Sequence, residues 1–201
     1  MTCNLTQHFP VDLHQSKGNY ICDTDGNTYL DVFNSIACIS LGYNHPAITE
    51  VSKSELMQLF VANRTGLGIN PPKEYSEIVH RAFMDVAPKG LNRIGTMMCG
   101  SCAVEGSFKH AFFSYQKKQR GERVDFNELE IDSCMKNMAP GSPHLGILSF
   151  KAGFHGRNLG SLSSTRTKPV HKLDMPAFDW PAAEPPMYKY PLNQHAAYNL
   201  E

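Results

Sequence analysis

The chain has 201 residues, 41% of them hydrophobic, with nineteen basic side chains against nineteen acidic ones. That length allows one large domain or two small ones around a buried core. The charge balance excludes the net field that nucleic acid or an anionic membrane would call for, which leaves small metabolites as the expected partners. No apolar run reaches the roughly eighteen residues of a membrane span. Met1 to Pro10 lacks the basic and apolar regions of a leader, so a soluble, untargeted chain is expected. Six scattered cysteines, Cys3, Cys22, Cys38, Cys99, Cys102 and Cys134, suit a reducing compartment.

In chain order, Tyr20 to Val32 reads as a hairpin, with Asp25-Gly26-Asn27 as its turn, because Asp-Gly supplies the positive φ angles that tight turns need. Ser35 to Pro46 is apolar and punctuated by Gly and Pro, which predicts an extended segment entering a turn and a helix starting near Pro46. Lys53 to Asn70 lacks periodicity, and Arg64 to Pro72 reads as loop. Tyr75, Ile78, Val79, Ala82, Phe83 and Val86 then mark the apolar face of a helix that starts near Pro72 and stops before Pro88 and Gly90.

Arg93 to Met98 is a predicted short strand, and Ser101 to Arg120 a predicted helix with Val104, Phe108, Ala111, Phe112 and Tyr115 on one face. Glu122 to Met138 is polar and weakly helical, Ala139 to Pro143 a loop, and Gly146 to Phe150 another strand. Helix between strands indicates an α/β layered domain. Asp174 to Glu201 holds five prolines and reads as irregular.

Chemistry concentrates in two stretches. In Cys99-Gly100-Ser101-Cys102 a helix opens on Gly and Ser, so free backbone N–H groups, the positive end of the helix dipole and a hydroxyl would favour a phosphate. Ser101 as a plain N-cap explains the same residues. For the C-x-x-C pair, a redox dithiol, two ligands of a metal site completed by another copy, and two buried cysteines all fit the spacing. In Phe150-Lys151-Ala152-Gly153-Phe154-His155-Gly156-Arg157 a strand is followed by a stacking face, a histidine and a planar carboxylate receptor between glycines. Arg157 as an ordinary surface arginine is the alternative. His8, His14, His45, His80, His110, His144, His171 and His195 have no metal-ligand spacing and read mostly as surface residues.

From about His8 onward, Asp23-Thr24-Asp25-Gly26-Asn27 with Leu30-Asp31, Gly42-Tyr43-Asn44-His45-Pro46, Cys99-Gly100-Ser101-Cys102 and Gly153-Phe154-His155-Gly156-Arg157 occur in this order. Together they resemble the class III pyridoxal-phosphate aminotransferases. The strings Val86-Ala87-Pro88-Lys89-Gly90, Met138-Ala139-Pro140-Gly141 and Phe178-Asp179-Trp180-Pro181 narrow the resemblance to the branch that moves the amino group of 4-aminobutyrate to 2-oxoglutarate, giving succinate semialdehyde and glutamate.

The resemblance implies the N-terminal part of a type I pyridoxal-phosphate aminotransferase fold, an α/β three-layer large domain left incomplete, plus an N-terminal segment. Residues 1–70 would be that segment and residues 71–201 the first part of the cofactor-binding domain. It implies that Gly100, Ser101, Phe154 and His155 bind the cofactor, Ser101 and Gly100 at its phosphate and Phe154 on its ring. Arg157 would receive the substrate carboxylate and Ile36 would line the substrate site. Cys99 and Cys102 would ligate a [2Fe-2S] cluster shared by the two subunits of a homodimer. The mitochondrial matrix is the implied location.

The family's Schiff-base lysine and its ring-nitrogen aspartate match no residue here, so no catalytic residue is assigned and the fragment alone is expected to be inactive and poorly folded, with open strand edges. Two other functions compete: a non-catalytic truncated isoform that pairs with a full-length subunit, and a thiol oxidoreductase using Cys99 and Cys102.

Overall fold

A computed structural model describes residues 10–200, so Cys3 and His8 lie outside the described residues. The chain forms two compact units, Met1–Ile94 and Gly95–Glu201.

In the first unit the expected hairpin forms, with β1 (Tyr20–Cys22) antiparallel to β2 (Thr28–Leu30) and Ile21 opposite Tyr29. Asp23 builds its turn. The carboxylate accepts from the N–H groups of Asp25 and Asn27 at 3.0 and 2.8 Å, from Asn27 Nδ2 at 2.9 Å and from the Tyr29 hydroxyl at 2.9 Å. These bonds, the Asn27 amide first, hold its pKa below the usual carboxylate range. Gly42 closes the unit from the other side: Gly18 and Tyr43 exchange backbone hydrogen bonds at 2.9 and 2.8 Å, and a Cβ on Gly42 would lie 2.6 Å from the Gly18 carbonyl oxygen.

The predicted extended segment after the hairpin is instead α1 (Asn34–Ala37), a left-handed turn whose four residues have φ between 48° and 59°. The cause is local. Asp31 Oδ1 accepts from the N–H groups of Phe33 and Asn34 at 2.9 and 2.8 Å and turns the chain there. Left-handed L-residues cost about 1–2 kcal/mol each. Ile36 sits in this turn, 65% exposed.

α2 (Pro46–Ser52) starts where expected. The aperiodic stretch after it holds α3 (Glu55–Ala62), capped by Ser54, and a 3-10 turn at Arg64–Gly66 inside the predicted loop. The sequence Glu-Leu-Met-Gln-Leu-Phe-Val-Ala is apolar on several sides, so a real helix shows no stripe there. α4 (Lys73–Met84) follows Pro72 as predicted, and Tyr75 meets Phe60 of α3 edge-on at 5.7 Å. That contact joins α4 to α3 within the first unit.

Arg93 to Met98, which spans the division between the units, forms no strand. An isolated run gains nothing from extension without a ladder partner. α5 (Gly100–Arg120) is the long helix of the second unit, with Lys117, Lys118 and Arg120 in its last turn. α6 (Glu128–Cys134) begins with a reciprocal capping box between Asn127 and Glu130, and Arg123 grips the Glu130 carboxylate with two bonds of 2.6 Å.

β3 is shorter than predicted, Ser149–Phe150, and pairs in parallel with β4 (Ala182–Ala183). So the proline-rich segment does contribute a strand. Its prolines flank the pair rather than interrupt it, and the Pro181 carbonyl accepts the Ser149 N–H at 3.1 Å. The chain closes with α8 (Ala196–Leu200).

The buried centre of this unit is α7 (Leu159–Ser164), a short helix with too few apolar residues to announce itself in the sequence. Leu162 is buried among Ser161, Ser163, Ser164 and Thr165. No helix among the described residues is long and apolar enough to cross a membrane.

Candidate functional site

α5 opens with no side-chain cap: Ser101, the alternative N-cap, is the second residue of the helix, and Cys99 stands at the cap position. The first backbone bond of the helix runs from the Ala103 N–H to the Cys99 carbonyl at 2.9 Å, so the N–H groups of residues 100 to 102 have no acceptor within the helix ladder. Space beside Gly100 is open, with nothing within 4 Å of the position a Cβ would take. Ser101 Oγ accepts the Arg157 N–H at 3.0 Å, which leaves its hydroxyl proton for another acceptor. Open space, N–H donors outside the helix ladder and a positive helix end are what a phosphate requires.

The loop that follows β3 lies against this helix start. Four bonds fasten it: Arg157 N–H to Ser101 Oγ, Asn158 Nδ2 to Cys102 Sγ at 3.5 Å, and the N–H groups of Gly160 and Ser161 to Glu105 Oε1 at 2.8 and 3.2 Å. Thr165 holds the loop from within. Its hydroxyl accepts the His155 N–H at 2.9 Å and donates to the Gly156 carbonyl at 2.8 Å. Gly156, at φ 119°, could carry no side chain, since a Cβ there would lie 2.2 Å from Ser101 Oγ. At the far end of α7, Lys172 donates to the carbonyls of Leu162 and Thr165, and desolvation lowers its pKa.

Within the second unit, then, Gly100, Ser101, Phe154, His155 and Arg157 share one region. Phe154 is half exposed, with its ring edge-on to His171 at 5.6 Å, so His171 is half-buried packing rather than a surface residue. Arg157 is exposed and pairs with no carboxylate among the described residues. His155 folds its ring over Gly153, and its buried Nε2 has no partner among the described residues. Ile36 belongs to the other unit and is described there alone.

The Cys99 and Cys102 sulfurs stand 3.6 Å apart. Hydrogen bonding from the Cys102 N–H, and then from its thiol, lowers the Cys99 pKa. Among the described residues no third His, Cys, Asp or Glu joins them as a possible metal ligand. A large apolar cavity of about 910 Å³ lies along α5 from Glu105 onward, between Phe108, Phe112, Phe126, Ile131 and Trp180; Gly160 also lines it, but the loop residues Phe154, His155 and Arg157 do not.

Sequence reasoning missed Glu105, Asn158 and Thr165. The first reads as a solvated helix residue, and the others carry no motif, because their partners are distant in sequence or in backbone.

Known proteins resemble this chain in sequence and fold. The chain is 52% identical over 194 residues to a 4-aminobutyrate aminotransferase of Dictyostelium discoideum, covering 96% of this chain and 39% of that protein. It is 42% identical to the human 4-aminobutyrate aminotransferase, mitochondrial, again covering 96% and 39%. It thus spans about two fifths of the length of these relatives. Among solved structures it superposes on a lysine aminotransferase of M. tuberculosis at 26% identity and a TM-score of 0.58, covering 96% of this chain and 41% of that one. An omega transaminase from Pseudomonas jessenii, at 16% identity and a TM-score of 0.59, shares the fold. With the family described as aminotransferase class-III matching residues 2–201, the chain belongs to the class-III aminotransferases and carries part of their fold.

Proposed function

We propose that this chain supplies the phosphate, ring and carboxylate contacts of an aminotransferase that moves the amino group of 4-aminobutyrate to 2-oxoglutarate with pyridoxal 5'-phosphate, giving succinate semialdehyde and glutamate. The observation that carries the reading is the Arg157 N–H bond to Ser101 Oγ, which joins a phosphate-competent helix start to an unpaired guanidinium.

Pyridoxal phosphate would fit the open space beside Gly100, with its phosphate on the Gly100 and Ser101 donors and its ring against Phe154. When bound, it supplies an aldehyde that takes up an amino group and a ring that delocalises the electron pair of a departing proton. Arg157 anchors the substrate carboxylate bidentately, which fixes the distance at which the amine is presented. His155, packed on Gly153 and tied to Thr165, holds the loop in register rather than offering a free base. No lysine in the described loop or helix start is assigned the covalent role, and Ile36 is assigned to the substrate lining.

The 3.6 Å sulfur separation suits two ligands of one tetrahedral metal, whose sulfurs at about 2.3 Å from the metal stand roughly 3.8 Å apart. Cys99 and Cys102 are therefore assigned to a [2Fe-2S] cluster completed by the same pair of a second subunit, which makes the protein a homodimer. The same separation suits a redox dithiol, and anaerobic reconstitution with iron and sulfide separates the two. Relatives named mitochondrial, including the human one, support a mitochondrial location, within which the matrix is the compartment proposed.

Binding of pyridoxamine 5'-phosphate to the 201-residue chain, followed by calorimetry, tests the central reading without needing a covalent lysine. It should bind, pyridoxamine without phosphate should not bind at the same concentration, and Ser101→Ala should weaken the complex about tenfold, the worth of one charge-assisted hydrogen bond. Equal binding of the two amines would remove the phosphate site.

A further inference from the structure

α7 presents an unusual solution to helix capping. Its N-cap residue, Asn158, makes no capping bond, and its side-chain amide N–H donates to Cys102 Sγ. The orphan donors at the start of α7 are met from another helix: Glu105 Oε1 accepts both the Gly160 and Ser161 N–H groups. A carboxylate at that end also opposes the positive end of the α7 dipole. Gly160 permits the approach, since a Cβ there would lie 3.1 Å from the same oxygen.

Ser101 and Glu105 are four residues apart on α5, so they lie on one face about 6 Å apart along the axis. Ser101 holds the Arg157 N–H and Glu105 holds the N–H groups three and four residues later. The helix therefore fixes both ends of the short segment from Arg157 to Ser161.

We propose that Glu105 is a positioning residue for the carboxylate receptor: by capping α7 one turn beyond Ser101, it sets where Arg157 stands relative to the phosphate turn. The proposal rests on the reading of Arg157 as that receptor, although its mechanical part does not.

Amide exchange followed by nuclear magnetic resonance on the 201-residue chain, with Glu105→Ala and Glu105→Gln, tests it. Glu105→Ala should speed exchange about tenfold at Gly160, Ser161 and, through the segment, Arg157, the factor expected for one lost hydrogen bond to a charged acceptor. The Glu130 amide of the α6 capping box should be unchanged. Glu105→Gln, which keeps the accepting oxygen, should restore most of the protection.

Loosening at Gly160 and Ser161 with Arg157 unchanged would reduce Glu105 to a local cap and overturn the proposal. So would a uniform rise that includes Glu130, or a Gln variant as damaged as the Ala variant. Pyridoxamine phosphate binding by the unsubstituted chain is measured alongside. If it fails while the exchange pattern holds, the functional reading falls and the positioning role of Glu105 stands.

Discussion

The hairpin turn and the loop after β3 are both organised by carboxylates that accept several N–H groups, yet the two differ in reach. Asp23 gathers four bonds from three residues, all within six positions of it. Glu105 and Ser101 collect theirs from 55 and 56 residues away. The first device needs only a turn to form, and closing it costs little chain entropy. The second cannot form until α5 and α7 have packed, so it reports on tertiary structure and falls with it.

The largest effect expected on this contrast comes from Gly156→Ala. Its Cβ would meet Ser101 and Ser161 in a backbone conformation unsuited to a side chain, and about 3 kcal/mol of the second unit's stability should be lost in denaturant unfolding. The hairpin unit should keep its own transition. Gly100→Ala, facing open space, should change stability by no more than about 0.5 kcal/mol. Equal losses at the two glycines would mean that the loop is not fastened to the helix start.

In the first unit, Ala37→Gly should act in the opposite direction. Relieving one left-handed alanine should stabilise that unit by about 1 kcal/mol in the same assay. A neutral or destabilising result would mean that the turn at Asn34–Ala37 is not left-handed in solution.

The smallest effect concerns acid. Glu130, held by the Arg123 guanidinium and then by the Asn127 N–H, titrates at about 2 instead of its ordinary 4.5. Because its pKa is depressed in the folded state, the stability it contributes is complete above 4.5 and is lost as pH falls from there towards 2. A carboxyl chemical-shift titration should find its midpoint near 2, and Arg123→Ala should move that midpoint upward. An unmoved midpoint would dissociate the low pKa from the Arg123 clip.

The same contrast explains what could be read from sequence. The hairpin, α4 and α5 were legible because turn chemistry and apolar periodicity are properties of neighbouring residues. Gly100, Ser101, Phe154 and Arg157 could be singled out because they stand in contiguous motifs, and the structure brings the two motifs together. α3 escaped because its apolar residues surround the helix, α1 because Asp31 redirects the backbone into a left-handed turn, and β4 because its two alanines lie among prolines. The predicted strand at Arg93 to Met98 failed for the converse reason, since a strand is defined by a partner that local sequence does not name. Glu105 was invisible on the same ground. On a helix of mixed charge nothing distinguishes a solvated glutamate from one that caps another helix.

The start of α5 and the loop after β3 form one fastened unit. The direct measurement is amide exchange at residues 100 to 102 and 153 to 158, with and without saturating pyridoxamine phosphate. The ligand should slow exchange in both segments together, with Arg157 protected alongside Ser101. Protection confined to residues 100 to 102, with the loop unchanged, would contradict it.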